Sequence, residues 1–329
     1  MRPTVVHTHI HKRKTGVTRS IENVLPFLLH NLKTYVFGSN IDGEDISKKE
    51  LKKLLFSDAQ VVVHAHRNNE LMLMLWYRFL GARFGLVATR HSATTPSGLT
   101  KFLLKKADKV VSLIESVHQD LRIENVCISH GVNTDEFKPD STIKLSNISQ
   151  SNIILNTGRI RKSKGQLSLV KSVEFLKNHN DWALVMVGKI DDQKFYSELQ
   201  SVIKDFGIEN QVYFMPETRE IIPYYQAASV FVAPSHSEGF ALVTAEAMAC
   251  ECTTIASEHV GVHSQLIQNG KSGYLFEVGN HQQLGKILSE IISGDLKETG
   301  SVARAEITEH WSAKLEAKRL TELYQSLQF

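Results

Sequence analysis

With 329 residues, 42% hydrophobic and 22% charged, the chain has globular composition, not that of a disordered, fibrous or disulfide-stapled protein. Its net charge of +3 and pI near 8.6 are too mild to imply nucleic acid without a local basic cluster. No stretch approaches the ~20 consecutive apolar residues that a spanning helix needs, and the length suggests two domains, each with its own core.

The opening, MRPTVVHTHIH, carries a charge but no long apolar segment, so it reads as a first strand and not a signal peptide. Strand-like runs then alternate with helical patterns, the mark of an α/β protein with parallel sheets. In the first half the strands are TVVHTH, TYVF, VVVHAH, FGLVATRH, KVVSL and NVCIS, with helices over 17–32, 68–80 and 98–107. Pro26 falls inside the first helix and should kink or shorten it. Residues 139–151 are polar and aperiodic and read as an interdomain linker. A second series follows: NIILNTG, WALVMVG, QVYFM, SVFVAPS, CTTIAS and GYLFE, each with a helical pattern behind it, and helices over 281–293 and 311–328 close the chain. Cys127, Cys250 and Cys252 form no framework and no zinc-site spacing, which suits small core residues in a reducing cytoplasm.

Ligands of open parallel sheets bind beyond the carboxyl ends of the strands, and the chemically informative residues here follow strands. NTGRIRKSKG (156–165) places Gly158, Arg159, Arg161, Lys162, Lys164 and Gly165 in one strand-to-helix loop. Read alone, it fits either a phosphate cradle or a solvated basic loop. In SEGFALVTAE (237–246), Glu238 and Glu246 bracket seven uncharged residues, and AMAC follows. A helix starting near Phe240 would aim the N–H groups of Gly239, Phe240, Ala241, Leu242 and Val243 at an anion, while the two carboxylates accept from hydroxyls. That suits a nucleotide sugar; an acidic helix start plus an ordinary surface glutamate fits the segment alone.

The E-x7-E pattern of Glu238 and Glu246 with EAMAC behind it resembles the signature of glycosyltransferase family 4, retaining enzymes of GT-B fold. TGVTRS (15–20), HGVNTDEF (130–137) and GRIRKSKG resemble further family landmarks in family order, so the resemblance covers nearly the whole chain. KRKTGVTRSI, HAHRNNE (64–70) and TRHSATTPS (89–97) resemble the lipopolysaccharide-core mannosyltransferase branch.

The resemblance implies two Rossmann-like domains facing across a cleft: residues 1–138 for the acceptor, 152–309 for the nucleotide sugar, and a helix at 310–329 crossing back to the first domain. By the same analogy Glu246 binds ribose, and Glu238 contacts the transferred sugar with Gly239 and Phe240. Arg159, Lys164 and the Leu242 and Val243 backbone hold the diphosphate, Gly16 approaches it, and Met215, Pro216 and Glu217 face the base. His91 lies near the reacting carbon, so His91, Arg159, Lys164 and Glu238 form the catalytic set.

No D-x-D stands where a metal-dependent transferase needs one, and Asp191–Asp192 reads as a loop, so neither a catalytic metal nor another cofactor is expected. GDP-mannose is the favoured donor, with a UDP-sugar as the alternative. Arg67, Asn68 and Arg90 would suit an acidic glycan or lipid-linked acceptor, and LTKFLLKK (99–106) could rest on an anionic membrane surface or pack on the sheet. The expected location is cytoplasmic, peripheral on the membrane's inner face. The family commonly has glycine after AMAC, proline two residues on, and Pro and Glu beyond the next strand; Glu251, Thr253, His263 and Gln265 stand there. A catalytically silent nucleotide-sugar or glycan-binding subunit of the same fold is the alternative, and an epimerase is disfavoured by E-x7-E.

Overall fold

The computed structural model describes residues 2–92, 94–115, 119 and 121–327. Ala93, within the 89–97 stretch, and residue 328, at the end of the expected last helix, lie outside the described residues. The chain forms two compact units, one of residues 1–133 with 311–329 and one of residues 134–310.

The first unit holds β1 (Thr4–His9), α1 (Gly16–Leu29), β2 (Thr34–Gly38), α2 (Lys48–Leu55), β3 (Val61–Ala65), α3 (Asn68–Phe79), β4 (Gly85–Arg90), α4 (Gly98–Leu104), β5 (Lys109–Ser112) and β6 (Val126–Cys127). Its six parallel strands run in the order β2-β1-β3-β4-β5-β6. The strands are apolar on both faces because helices cover both. Val6, Val61, Val63, Leu86 and Ala88 pack with α2 and α3 on one side. Val5, Val62, Val87 and Val111 face the other, against Val24 and Leu28 of α1. Pro26 lies in the last turn of α1, which ends at Leu29, short of the expected residue 32.

The second unit holds β7 (Asn152–Thr157), α5 (Gln166–Ser172), β8 (Trp182–Val187), α6 (Gln193–Phe206), β9 (Val212–Met215), α7 (Ile222–Ala227), β10 (Val230–Ala233), α8 (Leu242–Ala249), β11 (Thr253–Ser257), α9 (His263–Leu266), β12 (Tyr274–Phe276), α10 (His281–Ile292) and α11 (Gly300–His310). Its order is β12-β11-β10-β7-β8-β9, again all parallel. The polar stretch 139–151 belongs to this unit. Gln226 Nε2 donates to the Lys138 carbonyl at 2.9 Å, and Tyr213 Oη to Gln150 Oε1 at 2.9 Å.

The last helix, α12 (Ala313–Gln325), completes the first unit, giving Ala317, Leu320, Leu323 and Tyr324 to the core beside α1. Gly131 of HGVN admits its start: a Cβ there would lie 2.4 Å from backbone atoms of Ser312 and Ala313.

Candidate functional site

In each sheet the strand order reverses beside the unit's first strand, between β10 and β7 in the second unit and between β1 and β3 in the first. Crevices at such points are where open α/β sheets bind ligands. Of the residues expected in the second unit, Arg159, Lys164 and Glu238 lie on the two loops that flank this crevice, while Met215 ends β9, two strands away, and Pro216 and Glu217 follow it. The loop after β7 carries GRIRKSKG, with Lys162–Lys164 as one 3-10 turn. The loop after β10 carries Ser235 to Ala241.

The two loops are joined. Gly165 has φ +69°, and an added Cβ would sit 1.8 Å from the Pro234 carbonyl oxygen, so no other residue fits without moving backbone. His236 N donates to the Ser163 carbonyl at 3.0 Å. The junction brings Lys164 Nζ to 2.6 Å from Glu238 Oε1, which also accepts from Ser235 Oγ at 2.6 Å. Both members of the ion pair are largely shielded, with side-chain exposures of 16% and 13%. Arg159, at the more open end of the loop, pairs with Asp191 at 3.1 Å. Asp192 caps α6 by accepting from Phe195 N at 3.0 Å.

Helix α8 starts at Leu242, two residues later than the sequence suggests. Ala241 takes a left-handed conformation (φ +81°) as its N-cap, so the chain turns sharply before the helix begins. Phe240 and Ala241 therefore precede the helix, whose first turn starts with Leu242 and Val243. Glu246 is buried in α8, and its Oε2 accepts from Tyr225 Oη at 3.0 Å; that hydroxyl lies 3.0 Å from Thr157 Oγ1. Burial first and the Glu246 carboxylate second push the Tyr225 phenol well above its ordinary pKa. His263 touches α8 directly. Its Nδ1 donates to the Ser257 carbonyl at 2.8 Å, so Nε2 accepts from Thr244 Oγ1 at 3.0 Å. Burial lowers its pKa, and the Ser257 bond opposes that. Gly158 N donates to the Val187 carbonyl and Gly188 N to the Met215 carbonyl, at 2.9 and 3.0 Å. The ends of β7, β8 and β9 are thereby aligned, and Met215, Pro216 and Glu217 leave from the β9 edge.

In the first unit, buried Glu70 ties the crevice together. Its Oε1 accepts from Ile10 N at 2.9 Å; its Oε2 accepts from His66 N at 2.8 Å and Thr8 Oγ1 at 3.0 Å. Burial raises its pKa against these bonds. Arg67 donates to Thr15 Oγ1 at 2.9 Å, Asn68 to Thr100 Oγ1 at 2.9 Å, and Arg90 to the Thr94 carbonyl at 2.7 Å. Gly16 opens α1, where an added Cβ would meet nothing within 4 Å. His91 has both ring nitrogens engaged: Nε2 lies 3.0 Å from His66 Nδ1 and Nδ1 3.1 Å from His130 Nε2. Desolvation holds His7 at a pKa of about 3 and keeps His64, His66 and His91 well below the ordinary imidazole value, with neighbouring rings adding to the effect for the last three.

Sequence reasoning named Lys164, Glu238, Arg159 and Glu246 as site residues but not their partners Ser235, Tyr225 and Asp191, and of the buried and half-buried histidines of the first unit it singled out only His91. The doublets VVHTH and VVVHAH, with histidines two apart at strand ends, were a visible signal for these. Glu316, which binds His130 from α12, had none.

The family model for Glycosyl transferases group 1 matches residues 138–306, just over half of the chain. The chain is 25% identical over 340 residues to the lipopolysaccharide core biosynthesis mannosyltransferase LpcC of Rhizobium leguminosarum bv. viciae, covering 98% of this chain and 96% of that one. It is 26% identical to LpsB, a lipopolysaccharide core biosynthesis mannosyltransferase of Rhizobium meliloti (strain 1021), covering 81% and 79%. The crystal structure of Anabaena Alr3699/HepE in complex with UDP superimposes with a TM-score of 0.82 at 17% identity, covering 99% of this chain and all of that one. The two α/β units with six-stranded parallel sheets are therefore a GT-B fold. The chain belongs to the glycosyl transferases group 1 family and is a glycosyltransferase.

Proposed function

We propose that the protein is a retaining, metal-independent hexosyltransferase that moves mannose from GDP-mannose to a lipopolysaccharide-core or related envelope glycan. The observation that carries this reading is the shielded Lys164–Glu238 pair at the switch point of the second sheet, clamped by the contact of Gly165 with Pro234. A cation and a hydroxyl acceptor held together there suit the diphosphate and the sugar of one donor. The names of the two rhizobial relatives support mannose and a lipopolysaccharide core.

On this reading the diphosphate takes Lys164 over from Glu238, which is freed for sugar hydroxyls, and takes Arg159 over from Asp191. The first-turn N–H groups of Leu242 and Val243 add to the phosphate site. These groups stabilise the charge that grows on the leaving diphosphate as the glycosidic bond breaks. The acceptor hydroxyl attacks from the same face and gives its proton to the departing phosphate oxygen. Glu246 binds ribose hydroxyls while Tyr225 fixes its second oxygen. The family resemblance alone supports the base contacts of Met215, Pro216 and Glu217, the donor contacts of Gly239, Phe240 and Gly16, and the place of His91 at the reacting carbon. The same holds for Arg67, Asn68 and Arg90 as acceptor contacts.

Thermal-shift screening of GDP-mannose, UDP-glucose and UDP-N-acetylglucosamine, followed by turnover with EDTA and NMR of the product anomer, tests the proposal. Stabilisation by a UDP-sugar alone refutes GDP-mannose; loss of turnover in EDTA refutes metal independence; an inverted anomer refutes retention. Slow donor hydrolysis without acceptor separates an enzyme from a silent binding subunit.

A membrane-facing role for the first unit has its own support. Among the described residues no helix is long and apolar enough to cross a membrane, but α3 exposes Met72, Trp76 and Phe79 on one face, Phe79 to 86%, and Leu80 just beyond it is exposed too. Neighbouring α4 exposes Leu99 and Phe102, with Lys106 Nζ 5.7 Å from the Phe102 ring. Leu103 of the same helix is buried against the core. Apolar groups ringed by lysines suit an anionic bilayer surface. Pelleting with phosphatidylglycerol vesicles at low salt, lost in Phe79→Ser/Phe102→Ser, is the expected result; equal recovery with neutral vesicles refutes it.

A further inference from the structure

Five buried or half-buried histidines of the first unit form one continuous hydrogen-bonded chain. From the C-terminal helix inward, Glu316 Oε1 lies 3.1 Å from His130 Nδ1, and His130 Nε2 lies 3.1 Å from His91 Nδ1. His91 Nε2 lies 3.0 Å from His66 Nδ1, and His66 Nε2 3.1 Å from His7 Nδ1. Tyr324 Oη then lies 3.3 Å from His7 Nε2 and 2.7 Å from His64 Nδ1, and His64 Nε2 ends the chain 2.6 Å from Thr89 Oγ1.

A neutral imidazole has one N–H and one lone pair, so in a closed chain one choice fixes all the others. The choice is made at Glu316. Its Oε2 accepts from Gly131 N at 2.7 Å, and as a carboxylate it can only accept at Oε1 as well. With the rings neutral, His130 must donate from Nδ1, and its bare Nε2 must receive Nδ1–H from His91. The same step repeats through His66 and His7. The Tyr324 hydroxyl donates to His7 and receives from His64, which receives from Thr89. Any ring set the other way would leave two lone pairs or two protons facing each other, a cost that burial enlarges. The space beside His7, His64, His66, His130, Thr89 and Glu316, about 10 Å³, is at the lower limit for one water molecule, which leaves these groups chiefly one another as partners.

We infer that this chain is a polarised hydrogen-bond wire locked in one tautomeric order, that every ring in it carries its proton on Nδ1, and that Glu316 is the positioning residue that sets this state at His91. His91, half-buried where β4 ends, thus accepts from His66 at Nε2 and donates from Nδ1 to His130, with both ring nitrogens committed within the chain. The chain lies wholly within the first unit and does not rest on the donor proposed above.

The test is ring-nitrogen NMR of histidine-labelled protein at neutral pH, with signals assigned from single His→Asn variants. Wild type should show the Nδ1–H form, disfavoured by free neutral histidine, at His7, His64, His66, His91 and His130. In Glu316→Gln the amide oxygen keeps Gly131 and the amide nitrogen donates to His130 Nδ1. His130, His91, His66 and His7 should then switch together to Nε2–H. Tyr324→Phe leaves Glu316 in place, so His91 should stay Nδ1–H. An Nε2–H form of His91 in wild type, an unchanged His91 in Glu316→Gln, or a switched one in Tyr324→Phe overturns the inference. Should Glu316→Gln not fold, the wild-type and Tyr324→Phe spectra decide. His7, His64 and His66 also hold nitrogens within 4.8 Å of one another, so stoichiometric zinc retained by the isolated protein would make them ligands and overturn the inference.

Discussion

Gly165→Ala separates the clamp of the second unit from a merely flexible loop. The left-handed backbone there costs a residue with a Cβ ~1–2 kcal/mol. The new methyl would stand 1.8 Å from the Pro234 carbonyl oxygen, and moving packed backbone aside costs a further ~1–3 kcal/mol. A loss of about 3 kcal/mol follows. For a unit the size of residues 134–310, that lowers Tm by roughly 6–12 °C. Calorimetry measures it, and tryptophan fluorescence in a Trp76→Phe/Trp311→Phe background, where Trp182 alone emits, assigns the transition to the second unit. Gly16→Ala is the control: its added Cβ meets nothing within 4 Å, so stability should hold or rise by ~0.5 kcal/mol. A Tm drop below 2 °C in Gly165→Ala would refute the close approach on which the clamp rests.

Arg159→Ala should lose most turnover at unchanged Tm, since its partner Asp191 is met in an exposed loop; near-normal turnover removes the diphosphate assignment. Glu251 is exposed at φ +64°, so Glu251→Gly, restoring the residue common in the family, should stabilise by about 1 kcal/mol in urea titration; destabilisation would show that its side chain matters. His7 is held near pKa 3 by burial, so the folded state binds fewer protons than the unfolded one between about pH 6.5 and 3. That ring alone should remove ~1.4 kcal/mol of stability per pH unit on acidification through that window. His64, His66 and His91 act in the same direction, while Glu70, whose folded pKa is raised, opposes them near its own range. A first-unit transition as stable at pH 5 as at pH 7 would refute the buried neutral rings.

The strands were legible because a sheet buried on both faces writes a continuous apolar run, as VVVHA and WALVMV do. The start of α8 was misplaced by two residues because alanine seldom takes the left-handed backbone that Ala241 adopts. Helix α11 passed unnoticed because only Gly300, Ala303 and Ile307 of its eleven residues are buried, too thin a stripe to show a period. Residues 139–151 read as a linker because their anchors, Asn210 and Tyr213, lie far away in sequence. The candidate site divides in the same way. Lys164, Glu238 and Glu246 were legible from local spacing. Tyr225 and Glu316 reach their partners across 21 and 186 residues, separations that no local motif spans.

The Lys164–Glu238 pair also constrains how mutants of this site can be read. A shielded ion pair stabilises little by itself, but removing one partner strands the other charge where water reaches it poorly. With side-chain exposures of 16% and 13%, the single variants Lys164→Met and Glu238→Gln should each cost about 1–3 kcal/mol. Ser235, which also donates to Glu238, can still satisfy the amide oxygen of the glutamine. The double variant removes both charges and should recover part of the loss, giving a coupling of ~1 kcal/mol or more in a denaturant double-mutant cycle. Turnover should not recover, because a diphosphate needs the cation whether or not a carboxylate held it beforehand. Stability that returns while activity stays lost shows that the pair serves the donor as well as the fold. Additive stability losses would mean that the two side chains do not form the pair on which the proposed exchange depends.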